Sequence, residues 1–195
     1  DWNIGAVARK RAALTPRKTA FIYEARPVTY KELNDNVNRI ARVLQEKGIR
    51  KGDRVSVLLK NCPEFLEVFF AAAKLGIIFV PLNFRLVGPE LQYQLNNAGV
   101  RLLVFHDSFT DRIQSILSSV CVEKDKYLFL KSGASGSPGC PEWASDYHDL
   151  VKGSPGEELR PDQPVGLDDP LAIMYTSGVT GVPKGVVSSH LQTFF

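Results

Sequence analysis

The chain has 195 residues, 44% hydrophobic and 23% charged, with 24 Lys and Arg against 21 Asp and Glu and a net charge of +3. This is the balance of a globular chain long enough for one core or for a large part of a bigger domain. A charge so small and scattered leaves no electrostatic footprint for nucleic acid. The cysteines Cys62, Cys121 and Cys140 form no C-x-x-C pair and lie far in sequence from His106, His148 and His190, which argues against a metal site or a disulfide framework and for free thiols in a reducing cytoplasm.

The first residues, Asp1-Trp2-Asn3-Ile4, lack the basic-then-apolar order of a leader peptide. Residues 20–23 read as a short strand. Thr29 and Glu32 have the spacing of a capping box, and Leu33, Val37, Ile40, Ala41 and Leu44 then recur at helical spacing as far as Gly48. Lys51-Gly52-Asp53 turns into the apolar run 55–59, the pattern of a buried parallel strand. Pro63 opens a second helix carrying Phe65, Leu66, Phe69 and Phe70, and Gly76 closes it. Its aromatic and alanine-rich face reads as core. The greasiest stretch, residues 68–82, is broken by Lys74, Gly76 and Pro81, too short to be a transmembrane segment.

Residues 77–80 follow as a strand, Pro89 opens a helix to about Asn97, and residues 102–105 form another strand. Ser108 is expected to cap a helix bearing Ile113, Ile116 and Leu117, ahead of a strand at 127–130. Strands separated by helices in this way make βαβ units of a parallel sheet.

Between residues 131 and 167 the character changes, with Ser-Gly-Ala-Ser-Gly-Ser-Pro-Gly at 132–139 and Gly153, Pro155, Pro161, Pro164 and Gly166 later. Such a segment sustains little regular structure; one short helix is expected near 143–151. It is either a linker between domains or a long connection within one domain that delivers the strand 171–175 to the sheet. The second is more economical, because only residues 168–195 follow.

That strand runs into Thr176-Ser177-Gly178-Val179-Thr180-Gly181-Val182-Pro183-Lys184-Gly185. Glycine lets backbone N–H groups turn inward and approach a ligand, while hydroxyls and a lysine add donors and charge, a combination that suits a polyphosphate. The spacing is not Walker A: counted from Gly178, Pro183 stands at the second Gly position and Gly185 where a Ser or Thr should hold magnesium. A glycine-rich hairpin turn that happens to contain Lys is the plain alternative.

The order of residues resembles the signature of the adenylate-forming (ANL) superfamily, approximately Y-T-S-G-[ST]-T-G-x-P-K-G-V. This superfamily comprises acyl-CoA synthetases, the adenylation domains of peptide synthetases, and luciferases. Tyr175 to Val186 follow the signature with one departure, Val179 in place of Ser or Thr. Thr29-Tyr30-Lys31-Glu32-Leu33, Gly52-Asp53-Arg54-Val55 and Ala73-Lys74-Leu75-Gly76 resemble earlier, structural motifs of the same superfamily. Pro81-Leu82-Asn83-Phe84-Arg85-Leu86 resembles acyl-CoA synthetases rather than peptide-synthetase domains, which usually carry an acidic residue after Val-Pro-x. The resemblance runs from about Ile4 to His190 and is poorest over 131–167.

On this resemblance the chain is similar to the N-terminal fragment of an AMP-binding acyl-CoA synthetase or long-chain fatty-acid-CoA ligase. A chain that starts without Met and stops at Phe194-Phe195 fits that expectation. The resemblance implies an α/β fold, a largely parallel sheet flanked by helices, as the N-terminal portion of the large domain of an acetyl-CoA-synthetase-like fold. Residues 1–195 would form an incomplete AMP-binding domain: a βα-repeating part (1–130), an irregular connection (131–167) and a strand–phosphate loop–strand unit (168–195).

It also implies a chemistry. A carboxylate attacks the α-phosphate of ATP held with Mg2+, pyrophosphate leaves, and coenzyme A displaces AMP. The substrates are then a small carboxylic acid, ATP and CoA, with no nucleic acid, and a homodimer is compatible with the family. The implied nucleotide-binding residues are Thr176, Ser177, Gly178, Val179, Thr180, Gly181, Val182, Pro183 and Lys184. Thr176, Ser177 and Thr180 would supply hydroxyls, the glycines (Gly185 among them) the backbone path, Pro183 stiffness and Lys184 charge. Lys184 could instead tether the loop to a neighbouring acid. His190 is expected to start a helix or pack. The catalytic and metal-binding residues would lie beyond Phe195, so residues 1–195 alone are expected to be inactive. An amino-acid adenylation domain and a non-catalytic nucleotide-binding module stay open as alternatives.

Overall fold

The computed structural model describes residues 3–133, 138–176 and 181–194. A short helix α1 (Ala6–Leu14) precedes a hairpin of β1 (Thr19–Tyr23) and β2 (Arg26–Thr29), and the capping box then starts α2 (Tyr30–Glu46). Thr29 Oγ1 accepts from the Glu32 N–H at 3.2 Å and Glu32 Oε2 accepts from the Thr29 N–H at 2.7 Å. Two donors that a helix start leaves without intrahelical partners are thereby satisfied. The periodic face Leu33, Val37, Ile40, Ala41 and Leu44 is buried along the whole helix.

The rest of the chain builds β3 (Arg54–Leu58), α3 (Pro63–Leu75), β4 (Ile78–Pro81), α4 (Gly88–Ala98), β5 (Leu102–His106), α5 (Thr110–Gln114), β6 (Tyr127–Leu130), β7 (Ser145–Asp146), α6 (Tyr147–Gly153), β8 (Pro170–Thr176), β9 (Lys184–Ser189) and α7 (His190–Phe194). A seven-stranded sheet has the order β7-β6-β5-β3-β4-β8-β9. Every neighbouring pair is parallel except β8–β9, which is antiparallel.

Alternation along the strands fills both faces. Val55, Val57, Leu102, Val104, Leu128 and Leu130 pack beneath α2 and α3. Leu58, Leu103, Phe105 and Phe129 face α4 and α5 with Leu91, Leu95 and Ile113. A sheet covered on both sides needs such unbroken apolar runs, which is why the sequence of these strands reads so clearly. The aromatic face of α3 is core, with Phe65 and Phe69 each 5.3 Å edge-on from Phe79. Among the described residues no helix is long and apolar enough to cross a membrane.

Several elements differ from expectation. Helix α1 gives little periodic signal and buries mainly Ala6 and Ala8. Strand β2 was hidden because its hairpin turns on Glu24 and Ala25, both at positive φ (47° and 64°), where Gly or Asn is the usual marker. Ser108 caps no helix. Its own N–H is held by Asp107 Oδ1 at 2.6 Å, and a single 3-10 turn over Asp107–Phe109 leads into the five-residue α5, which ends before Ile116 and Leu117. The helix expected near 143–151 starts at Tyr147, capped by Asp146.

The connection from α6 to β8 lies across the helical layer and is tied down by polar contacts. Arg42 donates to the carbonyls of Pro155 (3.2 Å) and Glu157 (3.0 Å), and Lys51 bonds the Pro164 carbonyl (2.8 Å) and Asp169 (2.7 Å). The most buried tie is Lys74. Its ammonium donates to Asn38 Oδ1 at 2.6 Å and to Glu158 Oε1 at 2.8 Å, with the Lys74 side chain 5% exposed. Burial pushes the Lys74 pKa down against the pull of Glu158. Removing the carboxylate leaves a buried cation one partner short. Glu158→Ala is expected to cost about 2 kcal/mol, below the ~3–5 kcal/mol of a fully buried pair, because Glu158 is 37% exposed and Asn38 remains. A melting temperature lowered by about 4–8 °C would show it, and an unchanged one would refute it.

Candidate nucleotide-binding site

Strand β8 runs parallel to β4, pairing Ala172 with Phe79, so its last residues emerge at the carboxyl ends of the parallel strands. That is the edge at which open α/β sheets bind ligands. There the chain turns back into β9, with Tyr175 opposite Gly185 and Thr176 opposite Lys184. Of the nine residues implied as nucleotide-binding, the structure brings Thr176, Gly181, Val182, Pro183 and Lys184 to this end of the hairpin; Ser177, Gly178, Val179 and Thr180 lie outside the described residues.

Gly181 has φ +83°, a conformation that side chains with a Cβ rarely adopt. Gly185 serves differently. A Cβ there would meet Ile173 Cγ2 at 2.8 Å, too close to stand, while the Tyr175 ring at 3.4 Å would be in ordinary contact, so the bare backbone makes room chiefly for Ile173 across the strand pair. Thr176 and Lys184 are exposed. Among the described residues no carboxylate forms an ion pair with Lys184, whereas Lys51 is engaged by Asp169 at the base of the hairpin. The described part of the structure therefore gives no acid to which Lys184 would be tethered.

The loop's surroundings were not legible in the sequence. Tyr93 Oη, on α4, donates to the Pro183 carbonyl at 3.1 Å. Tyr175 Oη donates to Asn97 Oδ1 at 2.7 Å and lies 3.2 Å from the Gln94 carbonyl. The sequence places Tyr93 and Asn97 on the helix that Pro89 opens and gives neither a role. Sequence reasoning also missed the crevice between β3 and β5, whose following helices pack on opposite faces of the sheet. One bond of the chain itself spans it: His106 Nδ1 accepts from the Lys60 N–H at 3.0 Å. Beside it, after β5 and β6, the buried Asp107 takes the N–H (3.0 Å) and hydroxyl (2.8 Å) of Ser132 through Oδ2.

His190 starts α7 and is fully buried. Its Nδ1 accepts from the Ile4 N–H at 3.2 Å, which places the ring proton on Nε2, and Nε2 has no partner among the described residues. This is a packing histidine that ties the hairpin to the start of the chain.

A family model described as AMP-binding enzyme matches residues 8–195. The chain belongs to the AMP-binding enzyme family. It is 36% identical to the long-chain-fatty-acid–CoA ligase FadD13 of Mycobacterium tuberculosis, over 96% of this chain and 35% of that protein. It is 35% identical to a feruloyl-CoA synthase of Amycolatopsis sp, over 97% of this chain and 34% of the relative. Among solved structures, the anthranilate CoA ligase AuaEII in complex with anthranoyl-AMP superposes with a TM-score of 0.85 at 27% identity, covering 97% of this chain and 35% of that one. A Mycobacterium tuberculosis fatty acyl CoA synthetase superposes at 0.80 with 33% identity, covering 96% and 34%. The chain thus spans about a third of the length of these relatives. The family's α/β fold, a mostly parallel sheet flanked by helices, is the one found here.

Burial pushes the pKa of both His106 and His190 below the ordinary 6.5. Each also accepts a backbone N–H through Nδ1, a bond that protonation abolishes. An unfolded chain takes up these protons near pH 6.5 and the native one resists them. Their contribution is therefore complete above that pH and shrinks as pH falls toward the native values. Glu67, pushed up by burial, works in the opposite direction. The expected result is a melting temperature that falls between about pH 7 and about pH 5.5, with a shallower slope in His106→Asn and His190→Asn. Variants as steep as the parent would contradict the assignment.

Proposed function

We propose that this chain is the phosphate-gripping part of an AMP-forming acid–CoA ligase. In this reaction a carboxylic acid attacks the α-phosphate of ATP, pyrophosphate leaves, and the thiol of CoA displaces AMP from the acyl-adenylate. The observation that supports it most directly is the position of the Tyr175–Val186 signature. Its described limbs, Tyr175–Thr176 and Gly181–Val186, lie at the carboxyl edge of the sheet, with Lys184 exposed and in no ion pair among the described residues. Nucleotidyl transfer asks mainly for positioning and charge stabilisation. In this reading the hydroxyls of Thr176, Ser177 and Thr180, the N–H groups about Gly178 and Gly181, and the Lys184 ammonium hold the outer phosphates while charge moves onto the leaving pyrophosphate. Val182 and Pro183 shape the outgoing limb.

Hydroxyl, amide and ammonium donors fit phosphate oxygens, and residues 176–184 include no carboxylate to hold a divalent cation. Among the described residues no cluster of three or more His, Cys, Asp or Glu gathers. Mg2+ is accordingly read as arriving with ATP, and no step is assigned to metal held by this chain. Relatives named for fatty-acid, feruloyl and crotonobetaine/carnitine CoA ligation stand at 36%, 35% and 34% identity. A fatty acid is the first acid to test, in a panel with the other two. Three free thiols favour a reducing compartment such as the cytoplasm.

The working enzyme is read as longer than this chain. Besides the relatives' length, the edge strand β9 leaves Val186 51% and Val187 55% exposed on opposite faces of the sheet, apolar surface that further chain would cover. ATP–pyrophosphate exchange is expected from the full-length protein with an aliphatic or aromatic acid and not from residues 1–195 alone. Exchange by the short chain would overturn the division of labour, and none by the full-length protein with any acid would overturn the ligase reading.

Val179 lacks the hydroxyl that the signature carries. A hydrogen bond to a charged group is worth roughly 1.5–3 kcal/mol. Val179→Thr is therefore expected to improve kcat/KM for ATP by about ten-fold or more. No gain would mean that the hydroxyl is dispensable.

A further inference from the structure

Both limbs of the loop are tied to one helix that contributes nothing to the loop itself. The incoming limb is held through Tyr175 Oη on Asn97, at 2.7 Å, and the outgoing limb through the Pro183 carbonyl on Tyr93 Oη, at 3.1 Å. Tyr93 and Asn97 stand one turn apart and so share a face of α4. The rings of Tyr93 and Tyr175 meet edge to face with centroids 6.4 Å apart. The Tyr175 ring lies over Gly185 of the opposite strand, where a Cβ would stand 3.4 Å from it.

Helix α4 is itself held from three sides. At its start Glu90 Oε2 accepts from the Val87 N–H at 2.9 Å. At its end Arg54 donates to the carbonyls of Ala98 (2.9 Å) and Gly99 (2.6 Å), where a cation also suits the helix dipole. On its flank Asn96 bonds the Ser119 carbonyl (2.8 Å) and the Cys121 N–H (2.7 Å), and Leu91 and Leu95 are fully buried below. A hydrogen bond to this helix is a bond to the rigid part of the domain.

The Pro183 contact has a directional consequence. In a planar trans peptide the C=O and the following N–H point in opposite directions. A Pro183 carbonyl turned toward α4 therefore turns the Lys184 N–H away from it and fixes where the Lys184 side chain begins.

We propose that Tyr93 and Asn97 are positioning residues for the phosphate loop: by clamping Pro183 and Tyr175 they set the spacing of the two limbs and the direction of Lys184 before ATP binds. The clamp deepens the ligase reading and rests on it for its functional meaning, but the clamp itself is measurable without any activity. Asn97 is exposed and Tyr93 half-buried. Ties at such positions add little to global stability, and pre-ordering of the loop is what they can supply.

Tyr93→Phe removes one hydroxyl and keeps the ring; Asn97→Ala removes the nearer acceptor of Tyr175 Oη and leaves only the Gln94 carbonyl at 3.2 Å. In the 195-residue chain, trypsin cleavage after Lys184 reports local opening of the start of β9. Each variant is expected to speed that cleavage roughly three- to ten-fold, with cleavage after Lys18 unchanged as the control. In the full-length protein each should raise the KM for ATP by a similar factor and leave the KM for the acid within about two-fold.

Unchanged cleavage after Lys184 in both variants overturns the clamp. Cleavage accelerated at Lys18 as well as Lys184, or KM values that rise equally for ATP and acid, reduces both residues to general structure and overturns it too. Faster cleavage at Lys184 alone, with no change in the KM for ATP, shows a clamp without the positioning role and rejects the proposal as stated. If the parent full-length protein exchanges no pyrophosphate, the ligase reading fails, and the cleavage comparison still decides whether α4 orders the loop.

Discussion

The site depends on the pairing of β8 with β4. That contact is short, with Ala172 set against Phe79, yet it fixes two things at once. Its parallel sense sends the chain out at the carboxyl edge of the sheet, and its place in the order puts β8 beside the apolar centre formed by β3, β4 and β5. The return as β9 is antiparallel, so Thr176 and Lys184, the ends of the two limbs, face each other at that edge. Had β8 paired in the other sense, the same residues would have turned at the opposite edge, away from α4's grip on Tyr175 and Pro183.

Holding β8 there requires a long crossing from β7 on the far edge of the sheet. The crossing has few apolar residues to bury and relies on polar ties instead: Arg42 to backbone carbonyls, Lys51 to Asp169, and Lys74 with Asn38 to Glu158. A buried ammonium is a costly anchor, since removal from water is compensated only while both partners stay in place. It is also a specific one, because a cation beneath the helical layer accepts only a segment that brings a carboxylate to that spot. The ends of the chain join the same arrangement, with Asn3 donating to the Val165 carbonyl and His190 accepting from Ile4.

The strands and long helices were legible because their local chemistry is decisive. Thr29 and Glu32 can satisfy each other only at a helix start, and runs such as 102–105 are apolar on both faces because both faces are covered. What escaped has equally physical reasons. The β1–β2 hairpin turns on Glu24 and Ala25, residues that do not advertise positive φ. Helix α1 is held by where Ala6 and Ala8 dock, with no strong stripe of its own. Ser108 was expected to cap, but the adjacent Asp107 takes its N–H and, from Ser132, two more donors.

The sequence by itself determined the composition of the glycine-rich loop, its family signature and the missing hydroxyl at Val179, because these depend only on residue types at fixed spacing. It also determined that strands and helices would alternate, because periodicity is a local property. Only the tertiary structure decided that the two limbs of the loop stand at the carboxyl edge of the sheet, that α4 grips both of them, and that Gly185 is bare where Ile173 leaves no room for a Cβ. Those facts join residues about 80–90 positions apart, such as Tyr93 and Pro183 or Asn97 and Tyr175. No spacing rule along the chain encodes them; they arise when the sheet brings distant segments side by side.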